Sequence, residues 1–410
     1  MKPAASIDVN SWMAQGQTRK VMDALMSGGQ PARFVGGCVR DALLGLPVKD
    51  IDIATPETPE RVTALIEQAG LRAIPTGIDH GTITAVCDGI PFEITTLRRD
   101  VETFGRHARV SYTTDWQEDA ARRDLTLNAL YCDPDGTVFD PVGGLADLKE
   151  GRIRFVGAAR SRIEEDVLRL LRFFRFYAYY GNGKADEDAV AACREMAPHI
   201  QTLSVERVWK ELARLLLALD PAPTLDLMAT NGVLSYLLPE VAHRDRLAAL
   251  MKAEIATETA PDYLRRLATI VDLDKDGARA LAARLKFSNA DRDQFCRLCD
   301  PVIHPDPGVD PKQNRVALYR LGTEIFKELI LVGAAQNPDQ DWLSLLPLPQ
   351  TSPVPPFFIT GQDVVDLGVP AGREIGDFLE RVENWWIAGD FVADRETCLE
   401  YLQLLITARS

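Results

Sequence analysis

Apolar positions along the first hundred residues change period several times, and each change marks an element. Trp12, Met13, Val21, Met22, Leu25 and Met26 recur at helical spacing and stop at Ser27-Gly28-Gly29, which predicts a helical lead-in over residues 1–30. Phe34 and Val35 form a short apolar run that breaks at Gly36 and Gly37, and Val39 to Leu44 has the composition of a helix's first turns. Asp50 to Ala54 then alternates with period two, putting Asp50 and Asp52 on one face of a strand and Ile51 and Ile53 on the other. Thr58 to Gly70 reads as an amphipathic helix entered through Thr-Pro and closed by glycine. Thr82–Cys87 and Pro91–Leu97 read as strands joined by Asp88-Gly89, a hairpin turn pair.

The middle of the chain patterns differently. Arg98 to Ala120 is polar and poorly periodic, which predicts a long irregular segment, and such segments tend to be functional. Arg122 to Leu130 predicts the start of a helix with Arg123, Asp124 and Asn128 on nearby faces. Ile163 to Tyr180 predicts one continuous helix, with Asp166, Arg169, Arg172 and Arg175 three apart on one side and Leu170, Leu171, Phe174 and Tyr177 on another. Ser204 is a serine N-cap for a further helix. Beyond Gln201 the spacing stays helical, with Pro-rich breaks at Asp300–Pro311 and Leu345–Pro356. The expected architecture is an α/β head with a mixed sheet over residues 1–150, a helical neck over 151–240, and a helical body and tail over 241–410.

Composition narrows the class. A chain of 410 residues with 46% hydrophobic content buries a full core and is long enough for several domains. No apolar run approaches the ~20 residues a bilayer requires, and MKPAASIDVN lacks the regions of a signal peptide, so a cytoplasmic, membrane-free protein is expected. Seven scattered cysteines fit a reducing compartment, and Cys296 and Cys299 lack the second pair of a zinc site. The net charge of −14 argues against a nucleic-acid partner, but its distribution softens the objection. Between Arg98 and Arg175 stand 14 Lys/Arg and 14 Asp/Glu, so the excess acid lies elsewhere.

The glycine turn supplies the first chemistry. Backbone N–H groups at a helix start have no internal partner, and Gly36 and Gly37 let a bulky anion come close to the main chain. Arg40, one turn on, adds a permanently charged phosphate donor. Asp50 and Asp52 invite a hard divalent cation, and Glu93, on a strand that can neighbour theirs, offers a third carboxylate. A phosphate cradle beside metal carboxylates means phosphoryl or nucleotidyl transfer assisted by Mg²⁺.

GGCVRDALLG followed by KDIDIAT resembles the signature of the class II nucleotidyltransferases that build or repair the CCA end of tRNA, together with the bacterial poly(A) polymerases. RRDLTLNAL resembles a second family motif, which implies nucleotide contact for Arg123 and a sugar- or triphosphate-positioning role for Asp124 and Asn128. GRHA lies where the family has a flexible loop, with His107 read as a loop histidine. The run EDVLRLLRFFR resembles the family's base-selecting motif, which implies nucleotide contact for Arg172 and Arg175. Cytosine and adenine share an amino donor beside a ring acceptor, so Asp166 and Arg169 can pair with both, while uracil and guanine oppose a carbonyl to the carboxylate. The resemblance implies addition of C and A to tRNA from CTP and ATP, with body and tail holding tRNA. A poly(A) polymerase or an enzyme adding only CC or only A is the alternative, and RAIPTGIDHGTITAV, not basic, favours tRNA. Trp385 and Trp386 are candidates for stacking on RNA or for core.

Overall fold

The computed structural model describes residues 1–78, 81–104 and 107–408. The chain divides into two compact units, Met1–Pro239 and Glu240–Ser410.

The first unit is built on strands β1 (Pro3–Ser6), β2 (Arg33–Val35), β3 (Ile51–Thr55), β4 (Arg72–Gly77), β5 (Thr82–Cys87), β6 (Ile90–Thr96), β7 (Arg98–Phe104), β8 (His107–Tyr112), β9 (Tyr131–Cys132) and β10 (Thr137–Phe139). Eight of them make one sheet in the order β1-β10-β9-β2-β3-β6-β5-β4. Only β3 and β6 pair in parallel among these neighbours. The sheet is therefore mixed, as the patterning predicts. Its fully buried residues include Phe34, Ile53, Ile83, Phe92 and Ile94. The β5–β6 turn has Asp88 and Gly89 both at positive φ (50° and 82°), the conformation that suits a two-residue hairpin.

Four expectations change in detail. The lead-in holds strand β1 before a helix over Gly16–Met26, and β1 pairs with β10. Arg98–Ala120 is not irregular: β7 and β8 form a two-stranded hairpin and Trp116–Ala121 is a helix. The sequence of these strands has no apolar period to betray them. Gly105, Arg106 and the side chain of His107 lie outside the described residues. Arg122–Asp124 is not helical, because the backbone there pairs with a later segment: Thr126 N–H donates to the Arg154 carbonyl and Val156 N–H to that of Asp124, both at 3.0 Å. Only a 3₁₀ turn, Thr126–Asn128, follows.

The predicted helix over 163–180 is two helices, Ala159–Glu165 and Leu168–Tyr180, broken at Asp166 (φ −152°, ψ 107°). Asp166 accepts from the Leu168 backbone N–H at 3.1 Å, so it starts the second helix as a cap instead of riding on its face. Phe173 and Phe174 are fully buried in that helix, and Phe173 stacks on Phe155. After the helix Glu187–Met196 and a 3₁₀ segment, Ala197–Thr202, the helix Val205–Leu216 supplies Arg207, Glu211 and Arg214.

The regular elements of the second unit are all helices among its described residues, apart from an isolated bridge between Val241 and Val271. At its centre Glu254 takes both Arg265 and Arg266 in hydrogen-bonded pairs, and all three are nearly inaccessible. Trp386 is fully buried and its indole N–H donates to the Ala393 carbonyl, so it belongs to the core. Trp385 is half-buried and stacks on Tyr401 with ring centroids 4.3 Å apart. Among the described residues no helix is long and apolar enough to cross a membrane.

Candidate active site

Strand β2 ends at Val35, and the chain turns at Gly36 with φ 75° and ψ −122°, a conformation open essentially to glycine alone. The helix Gly37–Leu43 starts at once. Beside the turn lies a cleft of about 580 Å³ lined by Gly36, Gly37, Asp50, Asp52, Arg123 and Arg172, with Asp124 and Asn128 between them and Phe176 and Tyr180 as its aromatic wall.

Asp52 is half-buried on β3 between the buried Ile51 and Ile53, and exposed Asp50 immediately precedes the strand. Parallel pairing of β3 with β6 sets Glu93 directly opposite Asp52. Neighbouring strands are about 4.8 Å apart, so Glu93 and Asp52 stand side by side on two interior strands of the sheet, with Asp50 just ahead of β3. Burial, Glu93 and Asp50 push the Asp52 carboxyl up to about 6, against the pull of Arg123 and Arg40. Among the described residues no three His, Cys, Asp or Glu side chains form a ready-made metal cage. Carboxylate oxygens are the hard donors a divalent cation takes, with water and phosphate oxygens completing its shell. Crowded hard oxygens beside an anion-accepting turn fit that ion, and a cation there would offset the repulsion that lifts Asp52.

The guanidiniums are individually held. Arg40 is buried (6% exposed), with Nη1 donating to Asn128 Oδ1 at 2.7 Å, Nε to Asp41 at 2.9 Å, and its plane 4.2 Å from the Tyr180 ring. Asn128 in turn donates from Nδ2 to Asp124 at 3.1 Å, and Arg172 Nε donates to the other Asp124 oxygen at 2.6 Å. Burial opposes ionisation of Asp124, but Arg172, Asn128 and the Leu125 N–H outweigh it and hold the carboxyl well below the usual range. Arg123 gives Nε and Nη2 to Asp119, leaving Nη1 beside the Asn128 carbonyl at 3.5 Å.

The structure thus brings Gly36, Gly37, Arg40, Asp50, Asp52, Arg123, Asp124, Asn128 and Arg172 to one cleft, with Glu93 on the adjoining strand. Asp166, Arg169 and Arg175 do not line it. Asp166 accepts from Arg207 Nη2 at 2.7 Å, Arg169 pairs with Glu165, and Arg175 Nε donates to Glu211 at 2.5 Å. Besides Asp41 and the aromatic wall of Phe176 and Tyr180, the charged residues Lys49, Arg214 and Asp119 escape the sequence reading. Lys49 adjoins the carboxylate motif and Asp119 sits three and four residues before Arg122 and Arg123, spacings that signal ion pairs on a helix; nothing local marks Arg214.

Comparison with known proteins gives the family. Residues 32–154 match the poly A polymerase head domain, and residues 184–244 match a family described as a probable RNA and SrmB-binding site of polymerase A. The mouse protein "CCA tRNA nucleotidyltransferase 1, mitochondrial" is 35% identical over 389 residues, covering 90% of this chain and 86% of its own. A "CCA-adding enzyme" of Limosilactobacillus fermentum is 30% identical over 399 residues, covering 95% and 97%. The crystal structure of the Bacillus stearothermophilus CCA-adding enzyme in complex with CTP superposes with a TM-score of 0.79 at 27% identity, over 96% of this chain and 98% of that one. A glycine turn, clustered carboxylates and held guanidiniums on this scaffold, with full-length relatives of one kind, place the chain in the family of class II CCA-adding tRNA nucleotidyltransferases and poly(A) polymerases.

Proposed function

We propose that the chain adds C and A nucleotides to the 3′ end of tRNA from CTP and ATP, without a nucleic-acid template, by attack of the terminal hydroxyl on the α-phosphate and release of pyrophosphate. The observation that carries this is the pairing of Asp52 with Glu93 across β3 and β6 at the rim of a cleft whose other wall is the Gly36–Gly37 turn. Family membership implies a divalent metal, and Asp50 and Asp52 would hold it as Mg²⁺, with Glu93 as third acid. Bound there, the ion supplies Lewis-acid chemistry, lowering the hydroxyl's pKa and offsetting charge on the leaving group.

The chain's own groups do the rest. The N–H of Gly37 and the Nη1 of Arg123, which also donates to the Asn128 carbonyl, receive the triphosphate, while the Gly36 N–H is held by the Leu130 carbonyl; Arg172, pinned on Asp124, faces the same space. Arg40 acts from beneath the turn: it is committed to Asp41 and Asn128, so its contribution is a buried positive charge and support for the amide of Asn128. Asp166 and Arg169 select the base in this reading. A carboxylate has about four lone-pair sites, so Asp166 can receive a nucleobase amino group while holding Arg207. The helical unit from Glu240 onward is proposed to hold tRNA, and a cytoplasmic setting belongs to the same proposal.

Incubating tRNA that lacks its terminal CCA with CTP alone, ATP alone and both separates the possibilities. The expected result is two C residues from CTP, one further A when both are present, and one pyrophosphate per addition. A long A tail from ATP alone on any RNA would replace the proposal with poly(A) synthesis.

A further inference from the structure

The carboxylate of Asp119 lies outside the cleft yet sets the groups that face it. It is 1% exposed, within the helix Trp116–Ala121. One oxygen accepts from Arg122 Nε at 2.8 Å and Nη2 at 2.7 Å and from the Arg98 backbone N–H at 3.4 Å. The other accepts from Arg123 Nε at 3.2 Å and Nη2 at 3.0 Å and from the Tyr131 hydroxyl at 2.7 Å. Two guanidiniums share a single negative charge, so one net positive charge remains for the cleft.

The geometry decides where that charge is presented. Asp119 occupies the Nε–Nη2 edge of Arg123, and only Nη1 is left to reach the glycine turn, 3.8 Å from where a Gly36 Cβ would stand. A planar fork held along one edge cannot rotate its remaining nitrogen away. Arg122, fixed on the opposite oxygen, turns its main-chain carbonyl toward Arg169 Nη2 at 3.5 Å.

We propose that Asp119 is a positioning residue for nucleotide binding, clamping Arg123 so that its Nη1 meets the triphosphate at the Gly36 turn. The proposal rests on the cleft being the nucleotide site, which wild-type transfer from CTP reports separately. In Asp119→Asn an amide replaces one acceptor and the charge is gone, so Arg123 is no longer clamped.

The experiment measures CTP KM, kcat, equilibrium binding of CTP and of inorganic pyrophosphate, and thermal melting in the full chain. Asp119→Asn is expected to raise CTP KM and weaken both equilibrium affinities about tenfold, the scale of a hydrogen bond to a charged group, with kcat changed by less. Asp147→Asn is the control: Asp147 is an equally buried carboxylate, paired with Arg152 and Arg154 and accepting from the Thr126 hydroxyl, none of which lines the cleft. It is expected to lower the melting temperature while leaving CTP KM within about twofold, since it holds none of the cleft's guanidiniums. If Asp119→Asn does not fold, Asp119→Glu keeps the charge and displaces the clamp by one methylene, and the same rise in KM is expected. Unchanged pyrophosphate and CTP affinity in a folded Asp119 variant overturns the proposal, as does an equal KM rise in Asp147→Asn.

Discussion

Asp52 and Glu93 stand directly opposite each other on the parallel strands β3 and β6, two like charges one strand spacing apart. With Asp50 adjacent and burial adding to the repulsion, the Asp52 carboxyl is pushed up to about 6. A raised value means that Asp52 gains its proton at a higher pH than an ordinary aspartate, and a proton and a metal ion compete for the same oxygens. The Mg²⁺ concentration giving half-maximal CTP incorporation is therefore expected to be flat above pH 7 and to rise about tenfold per pH unit below about 6. Glu93→Gln removes one of the repelling charges, so the bend in that plot moves to lower pH. Equal Mg²⁺ requirements at pH 5 and 7.5 would exclude Asp52 as the ligand.

The glycine turn makes a sharper prediction than the motif alone. Gly36 carries φ 75° and ψ −122°, whereas Gly37 is the first residue of its helix with no positive φ. A Cβ on Gly37 would meet Arg40 Nη2 at 3.6 Å, an ordinary contact. Gly36→Ala should cost about 1–3 kcal/mol of stability and most of the CTP binding, while Gly37→Ala should fold normally and raise CTP KM at most a few-fold. Melting curves and CTP titrations of the two variants check the contrast, and identical behaviour would show that backbone conformation is not what the turn requires.

How far the sequence disclosed this site follows from how local each signal is. The Gly36 turn, the β3 carboxylates and the Asp88-Gly89 hairpin are set by residues within a few positions of one another, and the period-two and turn rules find them. The opposition of Asp52 and Glu93 needs a parallel pairing across forty residues, which alternation can permit but not register. Asp166 misled because a helical repeat continues through it, while a capping aspartate breaks the backbone without disturbing the spacing. Asp124 misled for the opposite reason: its segment looks helical, yet pairing with Arg154–Val156 supplies its hydrogen bonds.

The Asp124–Arg172 pair ties the turn before the Thr126–Asn128 segment to the helix Leu168–Tyr180 and gives the protein part of its acid sensitivity. Asp124 has a carboxyl held below its ordinary value of 3.8, so its stabilisation is fully present above that pH and drains away as pH falls through the lower folded value. Asp124→Asn leaves Arg172 without its ionic partner and should cost roughly 1–3 kcal/mol at neutral pH. The difference in stability between wild type and variant should shrink below pH 4, as followed by urea unfolding. A gap that stays constant down to pH 2 would mean that the pair contributes through shape and not charge.

Base choice offers the last test, because the two residues assigned to it are not joined to each other. Asp166 holds Arg207, Arg169 holds Glu165, and the break at Asp166 keeps the carboxylate off the face that carries Arg169. If they select the base together, Asp166 supplies the acceptor that rejects a carbonyl, and Arg169 supplies the donor. Asp166→Ala should then keep CTP and ATP transfer at reduced rate but admit UTP, narrowing the CTP:UTP ratio of kcat/KM by about a hundredfold, since a site built to hydrogen-bond one group rejects its opposite by at least that much. Arg207→Ala is the companion variant: it releases Asp166 from its partner while leaving the carboxylate in place, so selectivity should survive even where the melting temperature falls. UTP rejection undiminished in Asp166→Ala, or lost equally in Arg207→Ala, would move the selecting role elsewhere, and Arg172, which already faces the cleft, would be the residue to examine.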